Sequence, residues 1–280
     1  MIYSVCYQNA KRRLEEAGIT DAESDTRLLL MHTTGKDRSF IFAHGEDEMS
    51  EEDVAAFEAA IEQRLSHIPV QHITHVADFM GLEFKTSEGV LIPRIDTEFL
   101  VEEAMRFIPD GARVLDMCTG SGCILLSIMK YKNDIEGTAV DISDAALELT
   151  KANADKFGLS PTIIKSNLFE NIEGKFDYII SNPPYIRKSD IPGLMEEVRE
   201  HDPHLALDGG DDGLDFYRIL AKESKDYLIS EGMVLVEIGY DQGSDVKAIF
   251  EAEGYIDVTV LSDYAGNERV VRCSKNWKTP

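Results

Sequence analysis

Over the first seventy residues the apolar positions recur at helical spacing. Tyr3 to Glu16 mixes polar and apolar residues and stops at Gly18, a natural helix end. Thr20-Asp21-Ala22-Glu23 has the capping-box spacing and predicts a helix through Leu28, Leu29 and Met31 to Gly35. A short helical turn is expected around Phe40 and Phe42. Ser50 is placed to cap a longer helix, with Val54, Phe57, Ile61 and Leu65 as one apolar stripe and Pro69 ending it. Short helices with one apolar face each must bury those faces on one another. Residues 1–72 therefore read as a small helical bundle.

From Ile73 the pattern changes. Residues 73–92 read as a β connection, with Phe79–Thr86 and Gly89–Ile92 as a hairpin or two short strands. Asp96 or Thr97 can cap a helix through Leu100, Met105 and Ile108. A regular alternation follows, with strands expected at Arg113–Asp116, Gly137–Asp141, Thr162–Ser166, Phe176–Ser181 and Met233–Ile238. Helices such as Cys123–Tyr131, Asp144–Phe157 and Leu214–Ile229 lie between them. That rhythm predicts an α/β fold with a parallel, doubly wound sheet over residues 93–280. Tyr255–Leu261 and Arg269–Ser274 read as a closing hairpin that makes the last strand antiparallel. The stretch from Arg187 to Gly213, long and rich in Pro, Asp and Gly, is a candidate active-site lid.

Composition narrows the function classes. A length of 280 residues accommodates one large domain and one small one. The net charge of −24, from 52 acidic against 28 basic side chains, repels phosphate backbones, so no direct nucleic-acid contact is expected. No apolar run approaches the length of a membrane span, and no basic-then-apolar leader follows Met1. Cys6, Cys118, Cys123 and Cys273 are scattered without a CxxC pair and read as reduced thiols of a cytoplasmic protein. His67, His72 and His75 lie close together but lack the accompanying Cys or carboxylate pattern, so no metal is expected. A monomer is expected.

Two stretches carry chemistry. Phe176–Ser181 is an apolar, β-prone run that leads into Asn182-Pro183-Pro184-Tyr185. A strand ending this way delivers an amide side chain and unpaired carbonyls to the carboxyl edge of a sheet, where open α/β folds bind ligands. Proline supplies no N–H, and two acceptors suit the gripping of a planar –NH2 group. The second stretch, Val114 to Gly122, is a strand followed by the Gly-rich turn Cys118-Thr119-Gly120-Ser121-Gly122 and a helix. About twenty residues on, Asp141 ends the next strand with a carboxylate placed for ribose hydroxyls. Together they indicate a nucleoside-containing cofactor. A nicotinamide enzyme would need a hydride acceptor at that edge, whereas an amino-group methyltransferase needs a gripped –NH2.

The assembled pattern resembles the class I methyltransferases, with a Rossmann-like seven-stranded sheet and a C-terminal antiparallel hairpin. The resemblance narrows at Ile68–Ile73, at Gly89-Val90-Leu91-Ile92-Pro93-Arg94-Ile95-Asp96-Thr97-Glu98, at Leu205–Tyr217 and at Ala265–Val271. These blocks are similar to the protein-(glutamine-N5) methyltransferases that modify peptide-chain release factors. The resemblance implies S-adenosyl-L-methionine as cofactor, S-adenosyl-L-homocysteine as product, and the glutamine of a Gly-Gly-Gln motif in a release factor as acceptor. It implies that Asn182 and the Pro183 carbonyl hold the glutamine amide, with Pro184 and Tyr185 completing the acceptor turn and Arg94 near the substrate. It further implies that Cys118–Gly122 wraps the methionine part of the cofactor, that Asp141 takes the ribose, and that Asn167 and Leu168 flank the adenine, with Asn182 closing that pocket. Cys118 stands where the family more often has glycine, Ile95 where it has proline, and Asn167 where Asp is common. The helical residues 1–72 would then read the protein substrate. Asn-Pro-Pro-Tyr is shared with adenine-N6 methyltransferases of RNA or DNA, which remain the rival enzyme. A degenerate methyltransferase-like binding protein is the rival outside catalysis.

The chemistry demands much of such a site. An amide nitrogen is a poor nucleophile because its lone pair is delocalised into the carbonyl. Two acceptors on the –NH2 group orient the nitrogen and favour positive charge building on it. No general base is nominated, since the proton becomes acidic as the methyl group arrives.

Overall fold

The computed structural model describes residues 1–275. Five helices open the chain: α1 (Tyr3–Glu16), α2 (Ala22–Thr34), α3 (Arg38–Ala43), α4 (Glu51–Leu65) and α5 (Val70–Thr74). The strands β1 (Val76–Phe79) and β2 (Leu82–Lys85) follow, then α6 (Ile95–Phe107). The alternation runs β3 (Arg113–Met117), α7 (Cys123–Tyr131), β4 (Glu136–Asp141), α8 (Asp144–Phe157), β5 (Thr162–Lys165) and β6 (Phe176–Ser181). Two short helices, α9 (Glu196–His201) and α10 (His204–Leu207), interrupt the long segment after β6. The chain ends with α11 (Asp215–Glu223), β7 (Leu228–Glu237), α12 (Gly243–Ala252), β8 (Ile256–Ser262) and β9 (Glu268–Ser274).

These elements form two units, one of residues 1–76 with 195–201, the other of the remaining described residues. The first is the expected helical bundle, with Leu14, Leu29, Leu30, Phe57 and Ile61 fully buried. Ser50 caps α4 as expected, its Oγ accepting from the Asp53 amide at 3.0 Å. The capping box at Thr20 does not form: α2 begins one residue late, Asp21 holds the cap position, and its side chain makes no cap bond. Pro69 does more than follow α4, because it also starts the unforeseen α5. Arg64 is buried in this bundle and is held by two carboxylates, Asp25 at 2.7 Å and Glu197 at 2.7 Å. A buried guanidinium needs that many acceptors to offset its lost hydration.

The second unit carries a seven-stranded sheet in the order β5-β4-β3-β6-β7-β9-β8. Strands β5, β4, β3, β6 and β7 are parallel, and β9 runs antiparallel between β7 and β8. Apolar clusters cover both faces, so β3 alternates between them: Leu115 and Met117 in one, Val114 in the other. The β1–β2 hairpin turns tightly at Met80 and Gly81, both at positive φ (52° and 69°), which matches the twist of paired strands. Gly89–Ile92, expected as a strand, takes no part in a sheet and runs as irregular chain. Helix α6 starts at Ile95 with Arg94 at the cap, so neither Asp96 nor Thr97 caps it. Helix α11 stops at Glu223, well short of Ile229, because the chain turns into β7 at Leu228.

Candidate functional site at the carboxyl edge of the sheet

The strand order reverses on either side of β3, and the carboxyl ends of β3, β4 and β6 open into a cleft there. It holds about 980 Å³ of empty space, part of it open to solvent. Its floor is the turn after β3. The turn closes tightly because Cys118 and Gly120 adopt positive φ, at 63° and 57°. That backbone is cheap for glycine and costs a side-chain-bearing residue about 1–2 kcal/mol, a cost that Cys118 bears and that a glycine at this position would avoid. Burial pushes the Cys118 thiol far up, so it stays protonated and is no nucleophile.

Side chains from three elements pin this turn. Asp141 accepts from the Gly120 amide through Oδ2 and from the Ser143 amide through Oδ1, each at 2.9 Å. Thr150 donates to the Gly120 carbonyl at 3.0 Å, and Asn153 donates to the Ser121 carbonyl at 3.0 Å. Asn153 also pairs with both backbone groups of Lys85, tying β2 to the turn. Beneath it, Thr119 donates to Asp116 at 2.6 Å, and burial pushes the Asp116 carboxyl up to about 7. Asp141 is raised by burial as well, against the backbone amides that favour its charge.

The opposite wall comes from β6 and α6. Asn182 leaves β6 with its Nδ2 donating to Thr97 Oγ1 at 3.1 Å, which turns its Oδ1 acceptor the other way. Ser181 donates to the Met117 carbonyl at 2.7 Å and locks the two strand ends together. Arg94 and Asp202 form an ion pair beside the cleft. Pro203, Leu205, Ala206 and Phe216 add to its lining from α10, α11 and the chain before α10.

Of the residues singled out in the sequence, Cys118, Thr119, Gly120, Ser121, Asp141, Asn167, Leu168, Asn182, Pro184 and Arg94 line this cleft. Gly122, Pro183 and Tyr185 do not. Gly122 sits at positive φ behind the turn, where a Cβ would lie 3.0 Å from Leu126 and Thr150. Tyr185 points inward to Glu237, with its hydroxyl 3.4 Å from Oε1. Asn167 gives its Nδ2 to Glu170 at 2.9 Å, leaving its side-chain oxygen as acceptor. Sequence reasoning missed Thr97 as a partner of Asn182, Asn153 as a staple, and Val90–Ile92 as cleft wall. No His, Cys, Asp or Glu cluster suited to a metal ion occurs among the described residues, and no helix there is long and apolar enough to cross a membrane.

The lining fits a nucleoside. An acceptor carboxyl stands at the end of β4, and apolar walls lie beside it.

Comparison with known proteins agrees with this geometry. Residues 6–74 match the family described as PrmC N-terminal domain, and residues 82–210 match the Methyltransferase small domain. The release factor glutamine methyltransferase of Clostridium acetobutylicum is 41% identical over 254 residues, covering 88% of this chain and 89% of that one. Its namesake from Agrobacterium fabrum is 41% identical over 270 residues, covering 94% and 93%. The crystal structure of a methyltransferase from Pyrococcus furiosus superposes with a TM-score of 0.55 at 19% identity, over 78% of this chain and 98% of that one, a likeness of fold.

Proposed function

The chain belongs to the release factor glutamine methyltransferase family, and on that premise we propose that its cleft binds S-adenosyl-L-methionine and places the side-chain amide of a release-factor glutamine against Asn182. The observation that carries this reading is the fixed Asn182 amide, whose Nδ2 is committed to Thr97 and whose Oδ1 is left to accept. The cofactor supplies an electrophilic methyl group on a sulfonium. Asp141 would accept from the ribose hydroxyls on lone pairs that Gly120 and Ser143 leave over. The Asn167 side-chain oxygen would accept from the adenine amino group, and Cys118–Ser121 would enclose the methionine portion.

Asn182 Oδ1, which faces the cleft, would take one hydrogen of the glutamine –NH2, and the family resemblance assigns the other to the carbonyl of Pro183, a residue outside the cleft lining. That grip aligns the nitrogen with the methyl group and stabilises the positive charge that develops on it. The proton is then lost to water without a dedicated base. We further assign the helical residues 1–72 to reading the carrier protein, because a glutamine in a flexible loop offers few contacts of its own. Deleting them should slow methylation of intact release factor far more than that of a short glutamine peptide. Equal loss on both substrates would reduce the helices to a stabilising role.

The direct test incubates the protein with labelled S-adenosyl-L-methionine and candidate release factors, followed by peptide mass spectrometry. One methyl group on the Gly-Gly-Gln glutamine is the expected product. Label on adenine of RNA or DNA, with release factors untouched, would overturn the assignment in favour of the nucleic-acid rival.

A further inference from the structure

The acceptor turn is held at both of its ends. Thr97 accepts from Asn182 at the entry. Between the ends lie Pro183 and Pro184, whose rings lock φ and leave ψ free. With φ locked, the ψ angles that aim the two proline carbonyls are settled by where the ends are fixed. The exit, Tyr185, is fixed by a side chain that the proposed function does not use.

Gln242 immediately precedes α12 and is 2% exposed. Its amide is committed to backbone groups from three parts of the chain. Nε2 donates to the Tyr185 carbonyl at 2.9 Å and to the Gly213 carbonyl at 3.2 Å, one hydrogen for each. Oε1 accepts from the Gly239 amide at 2.9 Å, just past β7. That third bond settles which end of the amide is which, since an N–H in its place would face another N–H.

Backbone closes on the same exit. The Ile186 amide donates to the Leu207 carbonyl at 2.9 Å, the Gly209 amide to the Ile186 carbonyl at 2.9 Å, and the Lys188 amide to the Gly210 carbonyl at 3.0 Å. A Cβ on Gly209 would lie 2.8 Å from the Tyr185 Cα and 2.9 Å from the Pro184 carbonyl oxygen. One on Gly213 would lie 2.5 Å from the Tyr185 carbonyl oxygen. Glycine alone allows that approach. This half of the segment read from the sequence as a lid is a backing pressed onto the turn.

We propose that Gln242 is a positioning residue for the methyl transfer, pinning the exit of the acceptor turn to the Gly209–Gly213 segment and so setting the aim of the acceptors that grip the substrate amide. The proposal rests on the functional reading above. A nitrogen must meet the methyl group in line, and a misplacement of about 1 Å can cost on the order of a hundredfold in rate. Cofactor and carrier protein are bound by many other contacts, so Gln242 belongs to kcat and not to KM.

The test combines kinetics with a reading that needs no substrate. Gln242→Met keeps the side-chain length and loses all three hydrogen bonds. It should lower kcat about tenfold or more, with S-adenosyl-L-methionine affinity and release-factor KM within about twofold. Gln242→Glu keeps an oxygen for Gly239 but, ionised, has no hydrogen for either carbonyl, and should lose as much. In an Asn182→Ala background, adding Gln242→Met should cost less than about threefold, because both act on one grip. The substrate-free reading uses the one Pro-Pro bond among the nine prolines. Proline labelled with 13C and 15N leaves a single directly bonded 13C–15N carbonyl pair, that of Pro183 with Pro184, and its NMR resonance should move in Gln242→Met and Gln242→Glu. Losses that multiply in full in the double variant, cofactor affinity that falls in step with kcat, or an unmoved Pro183 resonance would each overturn the proposal. Failure of both single variants to fold would also overturn it, leaving Gln242 a stabilising residue only. A Pro183 resonance that responds as described in a protein that methylates no release factor would sink the functional reading alone.

Discussion

The two walls of the cleft are built on different principles. The floor and cofactor side are made of backbone: positive-φ residues at Cys118 and Gly120, and amides and carbonyls held by Asp141, Thr150 and Asn153. The acceptor side is made of side chains held by side chains, Asn182 by Thr97 and Tyr185 by Glu237. A backbone wall tolerates changes in what its residues carry, provided that each φ remains accessible. A side-chain wall fails atom by atom, because each group has one partner that fixes its orientation.

The largest effect should therefore come from the acceptor side. Asn182→Ala is expected to lower single-turnover methyl transfer about a hundredfold or more while calorimetry finds cofactor binding nearly intact. Near-normal turnover would erase the distinction between the walls. On the cofactor side, Asp141→Ala should weaken S-adenosyl-L-methionine by roughly 2–3 kcal/mol, read by the same titration, since a charged acceptor is lost. Asp141→Asn sharpens the point: one carboxylate oxygen becomes an N–H that must face either the Gly120 or the Ser143 amide, so its loss should approach that of alanine. Gly122→Ala combines a φ of 80° with contacts at 3.0 Å and should destabilise the fold by about 1–3 kcal/mol in denaturant unfolding. Cys118→Gly should move stability by less than about 1 kcal/mol, because relief of left-handed strain is offset by the greater chain entropy of glycine. A large loss there would give the thiol a role beyond tolerated filler.

What the sequence reveals follows a different division, between features within one stretch and features assembled from several. Features carried by one contiguous stretch have local signatures, so the turn after β3, the carboxylate ending β4 and the Asn-Pro-Pro-Tyr exit of β6 are all readable from short stretches. The antiparallel β8–β9 pair was readable from its turn residues. What escaped depends on distance along the chain. Asn153 looks like any polar residue within a helix, and only the folded state brings it to Lys85 and Ser121, 68 and 32 positions away. Thr97 reads as a helix cap until α6 is seen to start at Ile95 with Asn182 lying against it. Gly89–Ile92 has the composition of a strand but no neighbouring edge to join, and it serves as cleft wall. Helix α12 had its helical spacing at Val246, Ile249 and Phe250, masked by the glycines that precede it.

Arg64 carries a further consequence, for the order in which the molecule is made. Its two carboxylates come from opposite ends of the gene's reading: Asp25 precedes it by 39 positions, whereas Glu197 follows by 133. On the ribosome the bundle can collapse early around Leu29 and Phe57 while Arg64 has a single counter-charge. At roughly 5–20 residues per second, the second arrives on the order of ten seconds later, after β3 to β6 have been translated. The amino-terminal unit is thus first to begin folding and among the last to finish, and a chain stalled before residue 195 would expose an unfinished ionic core to quality control.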